Sequence, residues 1–222
     1  METRRIPLFP LNVVLFPGMS LPLHIFEPRY QQMIGLCLEE ERPFGVCLIQ
    51  IGEEVGGPAD PHPVGTTCEI LSATPLEGGR MNLLTMGRER FRVRRVFHEA
   101  PYLEAEVELL PQEEPGDLGE LPERVHEAAL RYISLLLALQ GESLPDLELP
   151  EDPLLLSYLV GAVLQSPPPV RQELLETSVT AQRLARQLQL LEEELERLGP
   201  LEELAQRTAR PLRVDPKKVS LN

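Results

Sequence analysis

The sequence predicts an α+β protein in which a strand-rich first half with one helix precedes an all-helical second half. Up to about residue 110, apolar side chains alternate or form short runs between prolines and glycines. Beyond Pro122 they recur every three or four positions, which is the period of a helix. A loop rich in proline, glycine and acids separates the two patterns. We therefore predict a β domain at 1–112, a four-helix bundle at 118–199 and a basic tail with one short helix at 200–222.

The segment Ile6–Tyr30 organises the first half because it is dense in bulky apolar residues and broken by five prolines. Proline fixes φ and removes a backbone donor, so each one ends, edges or turns a strand. The pattern predicts strands at Arg4–Phe9 and Met19–Ile25, with a turn at Phe16-Pro17-Gly18 in which Gly18 supplies a positive φ. A helix is expected to begin at Pro28.

The remainder of the first half alternates in the manner of strands with exposed outer faces. Five arginines fall between Arg88 and Arg95, and glutamates alternate with apolar residues in Tyr102–Leu110, so we expect the two charged rows to be cross-strand partners. Glu27 and Arg29 are predicted to form an ion pair that holds the strand-to-helix corner, with a recognition role as the alternative. The predicted elements are a helix at Pro28–Glu41, strands at Phe44–Ile51, Gly65–Leu76, Met81–Thr85, Arg90–Phe97 and Tyr102–Leu110, a surface loop at Gly52–Pro63 and a hairpin turn at Glu77-Gly78-Gly79-Arg80.

The second half predicts four helices with short connections, which is typical of an antiparallel bundle. The fourth helix carries leucines and an alanine at heptad spacing, and we expect this seam to pack within its own bundle, with a dimer seam as the alternative. Gly199-Pro200 is expected to end that helix, and the tail that follows, with a formal charge of +2, to dock on acidic surface. The predicted helices are Pro122–Gln140, Pro153–Gln165 with Asp152 as its cap, Val170–Glu176, and Thr177 to Leu198; the seam residues are Ala181, Leu184, Leu188, Leu191, Leu195 and Leu198.

Four pieces of the sequence resemble the amino-terminal, substrate-binding domain of Lon proteases in order and spacing. They are the proline-rich opening through Glu27-Pro28-Arg29-Tyr30, Val64-Gly65-Thr66, the run from Gly87 to Val93, and Arg171 to Glu176. The resemblance implies a PUA-like pseudo-barrel followed by a helical domain. It also implies a non-enzymatic module that captures exposed apolar segments of unfolded or marked polypeptides for a partner ATPase and protease.

The sequence lacks the lysines that ATP hydrolysis and peptide cleavage by a Lon protease require. The lysines are Lys217 and Lys218 alone, so neither a G-x-x-x-x-G-K-[ST] phosphate loop nor a Ser–Lys dyad can form in the folded body. We predict no catalytic residues and no cofactor. Asp60, His62 and Cys68 lie close in sequence, but a structural zinc site needs four ligands, so no metal site is expected.

Net charge, apolar runs and cysteine content indicate which partners and which cell compartment the chain suits. The formal charge of −14, at −7 for each half, argues against nucleic acid, although the arginine row leaves an RNA-binding PUA-like protein as a remaining alternative. No apolar run is long enough for a membrane span. Three cysteines without C-x-x-C spacing, and no signal-peptide pattern, predict a cytoplasmic protein. The arginine- and proline-rich composition suits a heat-tolerant source or GC-rich coding.

The function predicted from the resemblance is binding of polypeptides through an exposed apolar patch beside the first helix. A scaffold or self-associating homodimer is the alternative. The aromatic and methionine side chains of the opening segment exceed what a small β domain hides, which marks an interaction surface. The predicted peptide-binding residues are Phe9, Phe16, Met19, Phe26 and Tyr30.

Overall fold

A computed structural model describes residues 3–56, 59–111, 114–142 and 147–208, with side chains described as far as Pro200. The α+β class is confirmed. The first part contains strands β1 (Thr3–Leu11), β2 (Ser20–Ile25), β3 (Phe44–Gly52), β4 (Ala59–Pro61), β5 (Val64–Pro75), β6 (Met81–Phe97) and β7 (Leu103–Leu109), with helix α1 (Pro28–Glu39). The second part contains helices α2 (Leu121–Leu139), α3 (Pro153–Val163), α4 (Pro168–Glu176) and α5 (Thr180–Thr208).

The strands form one sheet whose pairings close into a ring. The order is β1-β7-β6-β5-β3-β4, and β1 also pairs in parallel with β3 through Leu8–Leu11, which joins the two sides of the sheet. The other pairs are antiparallel. β2 lies off this path and, among the described strands, pairs only with β6. Pro7 and Pro10 of β1 have no backbone N–H to donate, yet both lie within continuous registers, opposite Glu104 of β7 and Cys47 of β3.

The turn predicted before β2 is confirmed. Gly18 has φ +78°, and the Met19 N–H donates to the Phe16 carbonyl oxygen at 3.0 Å, as in a type II turn. The Gly18 N–H donates to the Gly87 carbonyl oxygen, and the Gly87 N–H donates to the Met19 carbonyl oxygen, each at 2.9 Å. These bonds start the β2–β6 ladder and fix its register from its first residue.

Two predictions in the first half are wrong. Met81–Thr85 and Arg90–Phe97 belong to one strand, β6, because Gly87 lets the chain continue past a close approach. A Cβ on Gly87 would lie 2.5 Å from the Phe16 carbonyl oxygen. The predicted loop Gly52–Pro63 contains the short strand β4, which is three residues long and pairs at the edge of β3. Three residues are too few to show the alternation of apolar and polar side chains that predicts a strand.

The four predicted helices are present, and one of their ends is wrong. α5 continues through Gly199-Pro200 to Thr208, where the sequence predicted a stop at Leu198 and a separate short helix. Proline inside a helix removes one hydrogen bond, here to the carbonyl of Glu196. Glu196 is exposed, so water can satisfy that carbonyl and the helix continues. Residues 209–222, which hold most of the predicted basic tail, lie outside the described residues.

The seam of α5 packs within the chain, as predicted. Ala181, Leu184, Leu188, Leu191 and Leu198 are buried, and Leu195 is half-buried against the same core, which α2, α3 and α4 share. Since the apolar stripe of α5 is covered by its own helices, this stripe presents no continuous face to a second chain.

Two buried arginines bind the carboxyl end of α4, and the one from β6 joins the two parts of the molecule. Arg90 of β6 donates to the carbonyl oxygens of Leu175 (2.6 Å) and Thr177 (3.0 Å). Arg183 of α5 donates to the Leu174 carbonyl oxygen at 2.9 Å and to that of Thr177. The last carbonyls of a helix have no intrahelical partner, so guanidinium groups satisfy them and hold the helix against the sheet.

The two charged rows are partners, as predicted. Arg92 lies opposite Glu108 in the β6–β7 register, and Arg95 lies opposite Glu106. The Arg94 guanidinium donates to the Glu108 carboxylate, with Nε at 2.5 Å. No helix in the described ranges is both long and apolar enough to cross a bilayer.

Candidate functional site

The candidate site is a cleft of about 240 Å³ between β2, the start of α1 and the loop at residues 53–56. Its floor is apolar. Phe9, Leu11, Ile25 and Tyr30 each expose less than 9% of their surface and belong to one core cluster. The rings of Phe9 and Tyr30 lie 4.0 Å apart between centroids, so they pack directly against each other in the floor. A packed floor gives an incoming side chain a preformed surface.

The rim of the cleft is unusually apolar for exposed residues. Phe26 exposes 47% of its surface and Val55 exposes 55%, and both line the cleft together with Pro22. The ring of His24 stacks on Phe26 at 6.0 Å, and its Nδ1 lies 2.7 Å from Asn82 Oδ1. Phe26 is therefore held by a neighbour and stays at the surface. Exposed aromatic side chains beside a cleft mark interaction sites.

The loop at residues 53–56 is clamped to the strand-to-helix corner by side chains. Glu27 and Arg29 form the predicted ion pair, at 3.1 Å. The Gly56 N–H donates to Glu27 Oε2 at 3.2 Å, and the Asn12 N–H donates to Glu54 Oε2 at 2.8 Å. These bonds hold the loop from which Val55 lines the cleft. The Glu27–Arg29 pair thus shapes the cleft by positioning its outer wall.

A second cleft, of about 300 Å³, adjoins the first. Tyr30 lines both clefts. Arg29 lines the second cleft and its partner Glu27 lines the first, so their ion pair lies where the two meet. Burial raises the pKa of the Tyr30 phenol, with the nearby Arg29 opposing the shift, so this hydroxyl remains a neutral donor at ordinary pH. The other walls come from β1 and the β6–β7 connection, and include Pro10, His98, Ala100, Pro101 and Tyr102.

The first half of the chain and most of the helical half match a known family. The profile described as "ATP-dependent protease La (LON) substrate-binding domain" matches residues 5–193. The chain belongs to the Lon substrate-binding domain family. This finding confirms the resemblance that the sequence showed in its opening segment.

The chain matches only part of its Lon relatives. It is 31% identical over 189 residues to the Lon protease of Desulfovibrio desulfuricans, covering 81% of this chain and 21% of that protein. It is 29% identical over 207 residues to the Lon protease of Phenylobacterium zucineum, covering 91% of this chain and 26% of that protein. The matched part is the substrate-binding domain of the family, and these 222 residues hold no ATPase or protease module.

Solved structures agree with the fold. The crystal structure of a Lon N-terminal domain protein from Xanthomonas campestris has a TM-score of 0.60 and 27% identity, covering 83% of this chain and 97% of that chain. The N-terminal domain of the Mycobacterium avium complex Lon protease has a TM-score of 0.59 at 19% identity, covering 86% and 100%, and shows the fold alone.

The five residues predicted for the Lon-type binding surface are placed in three different environments. Phe9, Phe26 and Tyr30 meet at the cleft, with Phe26 at its rim and the other two in its floor. Phe16 is fully buried against the helical part, and the Arg171 guanidinium lies 5.9 Å from its ring centroid. Met19 is half-buried and packs against two cores, the one shared by the helices and the one that contains Phe9 and Tyr30. Of the five, only Phe26 offers a large exposed surface.

Sequence reasoning missed Glu54 and Val55 in the outer wall. They lie in a segment that reads as a polar surface loop, and side-chain bonds formed across the fold bring them to the cleft. The signal that could have found them is Val55 itself, a β-branched apolar residue among glutamates and glycines.

The residues considered for a metal site, Asp60, His62 and Cys68, do not form one. Cys68 lies fully buried in the sheet, whereas His62 is near Glu176 of α4, with Nδ1 3.8 Å from Oε1. The described residues contain no group of three or more His, Cys, Asp or Glu side chains placed to hold a metal. The three cysteines are free and buried.

Proposed function

We propose that this chain is a non-enzymatic polypeptide-binding module that holds exposed apolar segments of other proteins in the cleft at Phe26. The observation that carries the proposal is a half-exposed aromatic ring, Phe26, which lines a cleft with an exposed Val55 and an apolar floor, in a member of a substrate-binding family. Water at such a rim is released when an apolar side chain enters, which favours binding without any covalent chemistry.

The size of the site suits side chains rather than a drug-sized ligand. Clefts of about 240 and 300 Å³ lie below or at the lower end of the range that such ligands occupy, which is roughly 300 to 1,000 Å³. Because the two clefts meet at Tyr30, an extended segment can place one bulky side chain in each. The occupant proposed is therefore an unfolded or marked polypeptide, passed on to a partner ATPase and protease of the Lon type.

We further propose that the first part is a PUA-like pseudo-barrel, that the second part is a helical bundle and that the chain works in the cytoplasm. The ring of strands supports a PUA-like pseudo-barrel over 1–112, and the shared core of α2 to α5 supports a helical bundle over 118–199. The free, buried thiols are compatible with work in the reducing cytoplasm.

The experiment is a binding titration with a permanently unfolded probe, such as a reduced and alkylated protein. Phe26→Ser should weaken its affinity by about tenfold, since a central aromatic contact typically contributes 1 to 2 kcal/mol. Leu155→Ser is the matched control because Leu155 is exposed to a similar degree, at 55%, but lies on α3. It should leave binding unchanged. Equal losses in both variants, or no binding by the unaltered chain, would overturn the proposal.

A further inference from the structure

We infer that the cleft at Phe26 prefers an apolar side chain that is carried next to a lysine or arginine. This inference rests on the proposed function and specifies the segments that the site would take. It follows from the charges around an otherwise apolar cleft. The described residues lining the cleft include two carboxylates, Glu27 and Glu54, and no lysine or arginine.

The two carboxylates differ in how their charge is balanced. Glu27 pairs with the Arg29 guanidinium at 3.1 Å, so its charge is already matched. The Glu54 carboxylate accepts from a backbone amide, the Asn12 N–H, and among the described residues it has no cationic partner. Arg29 donates to the backbone carbonyl oxygen of Glu54, at 3.5 Å, and not to its carboxylate.

One negative charge therefore remains at the rim, beside Val55. A carboxylate has two oxygens with about four acceptor positions, and a single amide donor leaves room for an ammonium or guanidinium group. Glu53, which is exposed and precedes Glu54, adds to the negative potential. An apolar side chain in the cleft would place the neighbouring residues of its segment close to this charge.

A larger cleft among the described residues differs in having arginines in its walls. It measures about 540 Å³ and lies between the end of α1 and the strands β5 and β6. Its walls carry both signs, with Arg42 and Arg88 beside the three glutamates Glu41, Glu69 and Glu89. Arg88 and Glu69 also pair with each other, at 2.5 Å. A cationic segment would meet two arginines at this cleft and none in the described lining of the cleft of Phe26, which favours the cleft of Phe26.

The test uses three fluorescent peptides with the same aromatic centre, flanked by lysines, by glutamines or by glutamates. We expect the full chain to bind the lysine peptide about two- to fivefold more tightly than the glutamine peptide, which is the range of exposed ion pairs. The glutamate peptide should bind more weakly than both. Added salt should reduce these differences while leaving the glutamine peptide bound.

Glu54→Gln separates the local charge from the overall charge of the protein. The amide oxygen still accepts from the Asn12 N–H, so the loop keeps its place while the charge is lost. Glu127→Gln, on an exposed position of α2, changes the net charge equally and serves as the control. Preference for lysine should fall in Glu54→Gln and persist in Glu127→Gln.

The outcomes are distinguishable. If the two variants retain the same preference, the inference is overturned while the proposed function stands, because the attraction is then a property of the whole surface. If the three peptides bind equally to the unaltered chain, the inference is also overturned. If none binds, the proposed function fails and the inference fails with it.

Discussion

Gly161 of α3 packs directly against the Phe16 ring of the opening segment. A Cβ on Gly161 would lie 2.5 Å from Cε1 and 2.6 Å from Cζ of Phe16, a ring that is fully buried. A buried ring in a packed core cannot move away without displacing its neighbours. The absence of a side chain at Gly161 is therefore what allows Phe16 to fill the junction between the two parts.

We expect Gly161→Ala to lower the free energy of unfolding by about 1 to 3 kcal/mol through overpacking. Gly35→Ala is the control, since Gly35 lies within α1 and has no atom within 4 Å of its added Cβ. That variant should be neutral or more stable by up to about 1 kcal/mol. Urea unfolding measures both, and equal stability of the two variants would contradict the account of Phe16.

The buried thiol of Cys37 makes the stability of the fold depend on pH. Burial raises the pKa of its thiol to about 11, above the value of roughly 8.5 expected in an unfolded chain. Between these values the unfolded chain loses the proton and the folded chain keeps it. The contribution of Cys37 to stability is therefore fully present below about pH 8.5 and is lost as the pH rises toward 11.

The free energy of unfolding should thus decline more steeply between about pH 8.5 and 10.5 in the unaltered chain than in Cys37→Ala. Urea titrations at several pH values give the two slopes. The variant loses some packing at every pH, so the comparison concerns the slope and not the absolute stability. Parallel slopes would show that the Cys37 thiol ionises alike in both states.

At the scale of elements, α4 depends on side chains from outside itself. Arg183 of α5 is fully buried, and besides the α4 carbonyls it donates to Ser157 Oγ on α3 at 3.0 Å. Its guanidinium lies 4.9 Å from the Tyr158 ring centroid. One side chain thus connects α3, α4 and α5, which makes it a larger contributor to stability than a surface arginine.

Arg183→Met should cost about 2 to 5 kcal/mol, because it removes the side-chain donor of the Leu174 carbonyl oxygen while keeping much of the side-chain volume. Arg124→Ala is the control. Arg124 pairs with Glu192 at 3.3 Å, but its side chain is 59% exposed, so that change should cost less than about 1 kcal/mol. Chemical denaturation followed by circular dichroism compares them. Similar losses in the two variants would show that the Arg183 bonds contribute little.

At the scale of the whole molecule, we expect these 222 residues to catalyse neither ATP hydrolysis nor proteolysis. A phosphate-binding loop and a Ser–Lys dyad each need a lysine, and both lysines of the chain lie in its last six residues. We expect the purified chain neither to hydrolyse ATP nor to cleave casein. Rates are measured across successive purification steps, and turnover that stays proportional to this protein through those steps would contradict the expectation.

The sequence by itself determined the class of the protein, the family and most of the elements, because these depend on local signals. The turn at Gly18, the helix start at Pro28 and the change of period after Pro122 act over a few residues, and the family motifs lie in short runs. Gly199-Pro200 misled for the same reason, since a local stop signal omits the surroundings that let α5 continue. Tertiary structure decided which aromatic residues reach the surface. Phe9 and Phe26 look alike in sequence, yet one lies in the floor and the other at the rim, because burial depends on pairing between distant segments. The outer wall at Glu54 and Val55 has the same origin, in bonds to Asn12 and Glu27 that no local pattern encodes.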